Sequence, residues 1–375
     1  MATRSRRSPN KSPQRPSGPS PAPARDGNPA ALGPLTGRWV LAGKDGRLTA
    51  YARTGGGLLR WTEQVPGGPG WNGPDFFPAD GLTDLSVGQG PDGYAHFTGR
   101  RRAPNGDTET LTYHHAVQYQ SGRPIGPWES LGTLYHNVEM SLRGGPPTVT
   151  VDAQGAPHIF VRNNGRGIHM KRQDSKGNWG RWEDLRGSMT FEGGCASSTA
   201  DGLTGFAAPG EKGLTFWAQD APGGPLKMGE VVPYLARDGS LAALETAPRR
   251  VTHFWHAADG SGVYAHREGA GVMALGGGPA YGAVAAVRAL VDGYDCTVLA
   301  HRGADGRTAL AAYPTENEAA GLWWTAIGEE CPDSPALAVD AHGLVVIASI
   351  SARGELLVNR QKDSSGLSLG RWQRF

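Results

Sequence analysis

The chain has 375 residues, of which 57 are glycine and 28 are proline, and only 38% are hydrophobic. This composition argues against a helical bundle, and the lack of any run of about 18 apolar residues argues against membrane insertion. The formal net charge is +2, but residues 1–35 hold six basic residues and one acidic residue, so they carry +5 and the remainder carries −3.

Residues 1–35 are predicted to be a disordered basic tail, because eight of them are proline, five are serine and no apolar periodicity is visible. The segments Ser8-Pro-Asn-Lys11 and Ser12-Pro-Gln-Arg15 resemble nucleic-acid-binding arms of chromatin proteins. They predict a weak, salt-sensitive contact with polyanions, and a solvated linker is the alternative. The cations proposed to make this contact are Arg4, Arg6, Arg7, Lys11 and Arg15.

No apolar leader segment is found at the start of the chain, which predicts a cytoplasmic location, with any release by a route that needs no signal peptide. The three cysteines, Cys195, Cys296 and Cys331, are far apart in sequence. We therefore expect reduced, buried side chains on strands rather than a disulfide framework.

Residues 36–375 are predicted to form one domain of seven repeats, each of four short antiparallel strands. The repeat is clearest at 148–185 and 335–372. Both stretches contain Val-Asp-Ala-x-Gly, Arg-Gln and Gly-Arg-Trp in the same order. One unit of this size cannot bury its own faces, so copies must stack on each other.

The glycine of the first hairpin turn recurs at a spacing that averages about 50 residues, and it is found at Gly46, Gly93, Gly155, Gly202, Gly239, Gly293 and Gly343. Seven four-stranded units of about this length predict an all-β, seven-bladed β-propeller. The fifth repeat is the least regular: its third strand is expected at Val251–His256, and its fourth dissolves into Gly276–Gly278. Blades one and seven each own four strands, so the ring is expected to close by side-chain packing, with Gly37 and Phe375 on neighbouring blades.

Outer strands of the form Gly-x-Trp and third strands that end in glutamine look like those of the bacterial seven-bladed propeller lectins of the Photorhabdus type. Tectonin and tachylectin repeats are similar more distantly. The resemblance covers about 340 residues and implies non-catalytic binding of a glycan, fucose or a related sugar, in shallow pockets between blades. It implies no cofactor.

In such lectins a tryptophan platform is paired with polar side chains, since the C–H face of a sugar stacks on an aromatic ring while its hydroxyls need hydrogen-bond partners. The candidate platforms are Trp61, Trp128, Trp182, Trp217, Trp255, Trp324 and Trp372. The candidate polar partners are Gln64, Gln173, Gln219 and Gln361. Repeats three and seven keep the fullest set and add Arg172, Arg181, Arg360 and Arg371. The alternative is that these tryptophans pack between blades and that the glutamines bridge backbone groups.

Two other functions stay open. A protein-interaction scaffold, docked into a larger particle through the basic tail, would expose a large apolar patch on one disc face. A glycoside hydrolase would need two carboxylates in one cavity, and the candidates are Asp84, Glu192 and Asp333. No metal site is expected, because neither His114 with His115 nor His253 with His256 is spaced to point to one face of a strand.

Overall fold

The computed structural model describes residues 32–106 and 108–375, and within them almost all regular structure is β-strand. Residues 1–31, with the predicted basic cations, lie outside the described residues. Two short strands come first, β1 Gly33–Pro34 and β2 Thr36–Gly37. Seven sheets then follow in chain order, each built on four antiparallel strands, with β1 added to the first sheet and β2 to the second. This confirms the predicted seven-bladed propeller.

The first four blades lie between Val40 and Met228, and their strands run as follows. Blade 1 contains β3 Val40–Ala42, β4 Leu48–Thr54, β5 Gly57–Glu63 and β6 Trp71–Pro78. Blade 2 contains β7 Leu82–Gln89, β8 Ala95–Asn105, β9 Thr108–Gln118 and β10 Glu129–Gly132. Blade 3 contains β11 Pro147–Val151, β12 Pro157–Arg162, β13 Ile168–Arg172 and β14 Glu183–Asp184. Blade 4 contains β15 Cys195–Ser198, β16 Thr204–Gly210, β17 Gly213–Gln219 and β18 Leu226–Met228.

The last three blades lie between Ala242 and Arg374. Blade 5 contains β19 Ala242–Ala247, β20 Arg250–His256, β21 Gly262–Arg267 and β22 Gly271–Gly277. Blade 6 contains β23 Ala280–Val291, β24 Tyr294–Gly303, β25 Thr308–Pro314 and β26 Thr325–Ile327. Blade 7 contains β27 Ala336–Val339, β28 Val345–Ile350, β29 Leu356–Arg360 and β30 Gln373–Arg374. The described helices are short: α1 at Val138–Leu142 and a 3₁₀ turn at Glu318–Ala320.

The strand order gives the disc two distinct faces. The lower face carries the loops between first and second strands and between third and fourth strands of each blade. The upper face carries the loops between second and third strands and the connections from each blade to the next. Among the described residues no helix is long and apolar enough to cross a membrane.

The predicted Asp-x-x-Gly hairpin turns form in blades 3 and 7. In blade 3 the carboxylate of Asp152 accepts hydrogen bonds from the backbone N–H groups of Gln154 and Ala156, both at 2.9 Å. Gly155 supplies the positive φ of 82° that this turn needs. In blade 7 Asp340 makes the corresponding two bonds, to the N–H groups of His342 and Leu344.

Blade 5 differs from its prediction. Its first hairpin turn is at Arg249, with φ 64°, whereas Gly239 precedes the blade altogether. The stretch Val251–His256 is therefore in the second strand, and a complete fourth strand, β22, follows it. Of the three glycines at its end, Gly277 serves packing, because a Cβ there would lie 2.9 Å from both His301 and Trp324.

The ring closes without strand exchange between blades 1 and 7, as predicted. Residues of both blades share one buried apolar cluster. The expectation for Gly37 is wrong: it lies on β2, which pairs in parallel with β7 of blade 2, whereas Phe375 packs with Trp71 of blade 1. The folded chain also begins before residue 36, because Gly33 and Pro34 pair with β4.

The cysteines lie at two strands and one loop. Cys195 and Cys296 are on β15 and β24, but Cys331 is in the loop before blade 7, and all three are free thiols.

Candidate functional site

Three of the predicted aromatic platforms have no surface to offer a ligand. Trp61 and Trp255 are 0% exposed and Trp217 is 1% exposed. Each of these rings fills space within or between blades, so its role is packing rather than ligand binding. They are structural side chains.

The tryptophans of the outer strands are half-buried wedges between blades. Trp182 of blade 3 makes an edge-to-face contact with Tyr113 of blade 2, at 5.3 Å between ring centroids. Trp372 of blade 7 lies over Gly328, on the connection from blade 6. Trp324 donates from Nε1 to the carbonyl of Leu275 in blade 5 at 2.9 Å. Trp128 packs partly buried against the cluster shared by blades 1 and 7.

The recurring glutamines brace loops inside their own blades. Gln219 accepts from the N–H of Thr204 at 2.8 Å and donates to the carbonyl of Gly224 at 2.7 Å. Gln361 makes the same pair of bonds, to the N–H of Val345 and the carbonyl of Gly366. Both are at most 5% exposed. Neither side chain is free to bind a sugar.

The other two predicted glutamines differ from this pair. Exposed Gln64 donates to the amide oxygen of Asn72 at 3.2 Å. Its place in the repeat is taken by Glu63, which accepts from the N–H groups of Leu48 and Gly67. Gln173 is half-buried, and its backbone bridges to Trp179.

The predicted arginine–tryptophan pockets do not assemble, because the two side chains face different neighbours. In blade 7 Arg360 points to blade 1, where it pairs with Glu63, whereas Trp372 packs toward blade 6. In blade 3 Arg172 donates to the carbonyl of Gly223 in blade 4 at 2.9 Å, whereas Trp182 packs on blade 2. The exposed residues Arg181 and Arg371 precede the wedged tryptophans.

A depression with a volume of about 280 Å³ lies on the upper face between blades 6 and 7. Its lining is almost entirely polar and consists of Glu329, Glu330, Ser351, Ala352, Arg353, Glu355 and Arg374. Glu329 and Glu330 come from the connection between the two blades. Residues 351–355 form the loop between β28 and β29, and Arg374 is on β30.

Two carboxylates hold the guanidinium of Arg374 in place. It pairs with Glu329, and its Nη1 lies 3.2 Å from Oε2 of Glu355. The hydrogen bond to Glu329 raises the pKa of Arg374 above its ordinary value. The hydroxyl of Ser351 donates to Glu355 at 3.3 Å and orders the loop by accepting from two of its N–H groups. Half of the Arg374 side chain stays exposed.

Sequence reasoning reached this strand but missed Arg374. In an extended chain residues two apart lie on the same side, so Arg374 follows Trp372 toward the connection from blade 6. The contacts of both side chains confirm this direction, since Trp372 contacts Gly328 and Arg374 pairs with Glu329. The corresponding position in blade 3 is Asp184, so the repeat alone gave no signal.

A second cluster lies at the rim between blades 2 and 3. The carboxylate of Glu129 accepts from Nε1 of Trp179 at 2.8 Å and contacts Nδ1 of His115 at 2.9 Å. The His115 contact lowers the pKa of Glu129. Half of the Glu129 side chain is exposed, while His115 is buried. The cluster combines an aromatic ring with a carboxylate at the surface.

The three carboxylates predicted for a hydrolase lie in separate parts of the fold. Asp84 pairs with Arg100, and Glu192 pairs with Arg162 on the connection from blade 3 to blade 4. Asp333 lies beside Gly33 on the connection to blade 7, and burial raises its pKa. The described residues contain no cluster of three or more metal-ligating side chains.

Comparisons with known proteins identify the fold. No family model matches the sequence, and no curated protein matches it either. The solved structure of the BP39L lectin from Burkholderia pseudomallei is 14% identical, with 92% of this chain and 98% of that chain covered and a TM-score of 0.67. A Hadza microbial sialidase, Hz136, is 13% identical over 86% of this chain and 73% of that chain, with a TM-score of 0.50. At these identities the likeness establishes a shared propeller fold.

Proposed function

We propose that this propeller binds carbohydrate without catalysis, and that the depression around Arg374 is its binding site. The observation that carries the proposal is a guanidinium held by Glu329 and Glu355 in the lining of an open, polar recess between two blades. Its fold is shared with the BP39L lectin, which supports this choice among the functions of propellers.

Sugar hydroxyls match the chemistry of this recess. Each hydroxyl can donate to a carboxylate oxygen and accept from a guanidinium N–H, so neighbouring hydroxyls can bridge Arg374 and Glu355. Hydrogen bonds to charged groups are the stronger kind. Because the ion pairs already fix Arg374, little side-chain entropy is lost when the sugar binds.

A neutral sugar suits the recess better than an acidic one. Three glutamates and two arginines line it, so its formal charge is −1. A sialylated or sulfated glycan would place a negative charge beside Glu329 and Glu330. Fucose is the first ligand to test, because the lectins that the sequence resembles bind fucose or related sugars.

The test is a titration of the full chain with methyl fucoside and other neutral monosaccharides. Arg374→Gln should weaken binding at least tenfold, since it removes the charged donor, while the melting temperature changes little at this half-exposed position. Lys212→Gln removes an exposed cation elsewhere on the upper face and should leave affinity unchanged. Equal affinity of Arg374→Gln and the wild type would exclude this site.

A protein-interaction scaffold is the second candidate, and a specific apolar surface favours it. Five large apolar side chains flank the β16–β17 hairpin on the upper face and are 37–53% exposed: Met189, Phe191, Val231, Tyr234 and Leu235. Backbone hydrogen bonds hold these segments beside the hairpin. The N–H of Phe191 donates to the carbonyl of Pro209 on one side, and Val232 pairs with Leu214 on the other. Clusters of this kind mark interaction sites.

Co-purification from the source cells separates the two functions. If the surface around blade 4 holds a protein, Phe191→Ser with Leu235→Ser should lose that protein and Arg374→Gln should keep it. Retention of the same partner by the double variant would exclude this surface.

A further inference from the structure

The outermost strand of blade 5, β22, has an open edge. It pairs with β21 on one side and with no strand of the described residues on the other. Alternate backbone N–H and C=O groups along such an edge point away from the sheet and can pair with another strand. The indole of Trp324 covers one end of the edge, where it donates to the carbonyl of Leu275 at 2.9 Å. The stretch Val272–Ala274 makes no hydrogen bond outside its own sheet among the described residues.

The strand β22 lacks the features that prevent edges from pairing. Charged side chains and prolines on an edge strand have this effect. The outer strands of blades 1, 2, 3, 4 and 7 each carry a charged residue, in order Asp75, Glu129, Glu183, Lys227 and Arg374. The strand β6, one residue longer than β22, also contains Pro74 and Pro78. By contrast, β22 reads Gly-Val-Met-Ala-Leu-Gly-Gly over seven residues.

The surface around β22 is uncharged and partly apolar. Charged residues make up 19% of the chain, yet none occurs in residues 269–287 or 319–328. Met273 on the strand is 37% exposed, and Trp323 is 91% exposed. Trp323 lies beside the end of β22, because the next residue, Trp324, bonds to that strand. Exposed Met and Trp side chains are typical of protein interfaces.

We propose that β22 pairs antiparallel with β22 of a second copy of this chain, so that the two blade-5 sheets join edge to edge with Trp323 beside the joint. Antiparallel pairing of one edge with itself is related by a two-fold axis, so the assembly closes at two copies. The absence of charge on this edge means that the two copies meet without like-charge repulsion. The proposal is independent of sugar binding.

The dimer should be weak. Two short strands and their flanking side chains are expected to bury less than the about 1,200–2,000 Å² of a stable complex. We therefore expect a dissociation constant on the order of 100 µM, between the micromolar and millimolar values of weak complexes. The chain should then be mostly monomeric at low micromolar concentration.

Sedimentation of the full chain from about 10 µM to about 1 mM tests the pairing, with an expected rise in mean mass from one chain towards two. Met273→Lys should weaken association at least tenfold, because pairing would bring the lysines of the two copies together. Met228→Lys makes the same change on the exposed outer strand of blade 4 and should leave association unchanged. Hydrogen exchange in β22 should be slower at the higher concentration.

A chain that stays monomeric at about 1 mM would overturn the proposal, as would equal association of Met273→Lys and the wild type. Melting temperatures show whether Met273→Lys folds. If it does not fold, Trp323→Ala decides, since it changes a side chain that is 91% exposed. It should weaken association several-fold, and undiminished association would also overturn the proposal.

Discussion

At the scale of single residues, the side of a strand decides what a side chain does. Trp324 and Trp323 are adjacent, yet Trp324 is wedged against blade 5 and Trp323 is 91% exposed. The position of Trp323 is taken by Arg181 in blade 3 and by Arg371 in blade 7. In each of these adjacent pairs, the second residue is therefore a tryptophan that packs between blades. The first residue is exposed and differs from blade to blade.

Truncating these tryptophans should separate packing from exposure. Trp61→Ala should cost about 3–5 kcal/mol of unfolding free energy, because it leaves a large cavity in the core. Trp323→Ala should cost less than about 0.5 kcal/mol, as is usual for surface positions. Denaturant unfolding of both variants measures this, and a loss of more than 2 kcal/mol for Trp323→Ala would show that its ring is packed.

Trp182→Ala and Trp372→Ala should both lower the melting temperature, because each removes a contact between neighbouring blades. Only Trp372 adjoins the Arg374 recess, so only its truncation should also weaken sugar binding. Calorimetric melting and sugar titration on the same samples check this. Lost sugar binding in Trp182→Ala, with that of Trp372→Ala retained, would place the site in blade 3 instead.

At the scale of elements, the residue at the end of the third strand stabilises loops in several blades. In blade 1 this residue also helps to close the ring. Blades 4 and 7 use Gln219 and Gln361 there, but blade 1 uses Glu63. Glu63 is 0% exposed and pairs with Arg360, whose other nitrogen lies 2.8 Å from Asp340. A buried ionic triad thus joins blade 1 to blade 7, where the two ends of the ring meet.

Breaking this triad should destabilise the ring. Arg360→Met leaves the buried Glu63 uncompensated and should cost about 3–5 kcal/mol. Arg172→Met alters the equivalent, partly exposed residue of blade 3 and should cost about 1 kcal/mol or less. Adding Glu63→Gln to Arg360→Met should recover part of the loss, because glutamine braces the same position in blade 4. Denaturant unfolding of the wild type and these three variants measures the losses, and equal losses for the two single arginine variants would contradict the expectation.

The sequence predicts elements better than it predicts the site, for reasons visible at particular residues. A turn glycine such as Gly155 predicts a blade from the sequence, because its hairpin turn needs a positive φ that glycine adopts readily. Blade 5 turns at Arg249 with φ 64°, so its turn contains no glycine and the prediction of a turn at Gly239 is wrong. The site joins Arg374 to Glu329 across 45 residues, and no local pattern encodes that pairing. The strand containing Trp372 was predictable, but its partners were not.

At the scale of the whole molecule, both surfaces discussed under the proposed function lie on the upper face. They are the Arg374 recess and the apolar surface near blade 4. The interior instead holds several buried histidines. Burial lowers the pKa of His96 and His256 to about 3 and that of His301 to about 4.

These histidines make the fold sensitive to acid. In the unfolded chain they titrate near 6.5, so below that pH the unfolded state binds more protons and stability falls until the folded pKa values are reached. Above about pH 6.5 the histidines are mostly neutral in both states, so they do not lower the free energy of unfolding there. At pH 5.5 each group costs about 1.4 kcal/mol, or about 4 kcal/mol for the three. Melting curves between pH 7.5 and 5.5 should show this loss, and His301→Phe should remove about 1.4 kcal/mol of it at pH 5.5; an unchanged slope would contradict the assignment.

The most direct test of the proposed function is a glycan array probed with the full wild-type chain and with Arg374→Gln. We expect the wild type to bind neutral glycans in preference to sialylated or sulfated ones, and Arg374→Gln to lose this binding while keeping the wild-type melting temperature. Binding to no glycan, or an identical array pattern for the two proteins, would contradict it.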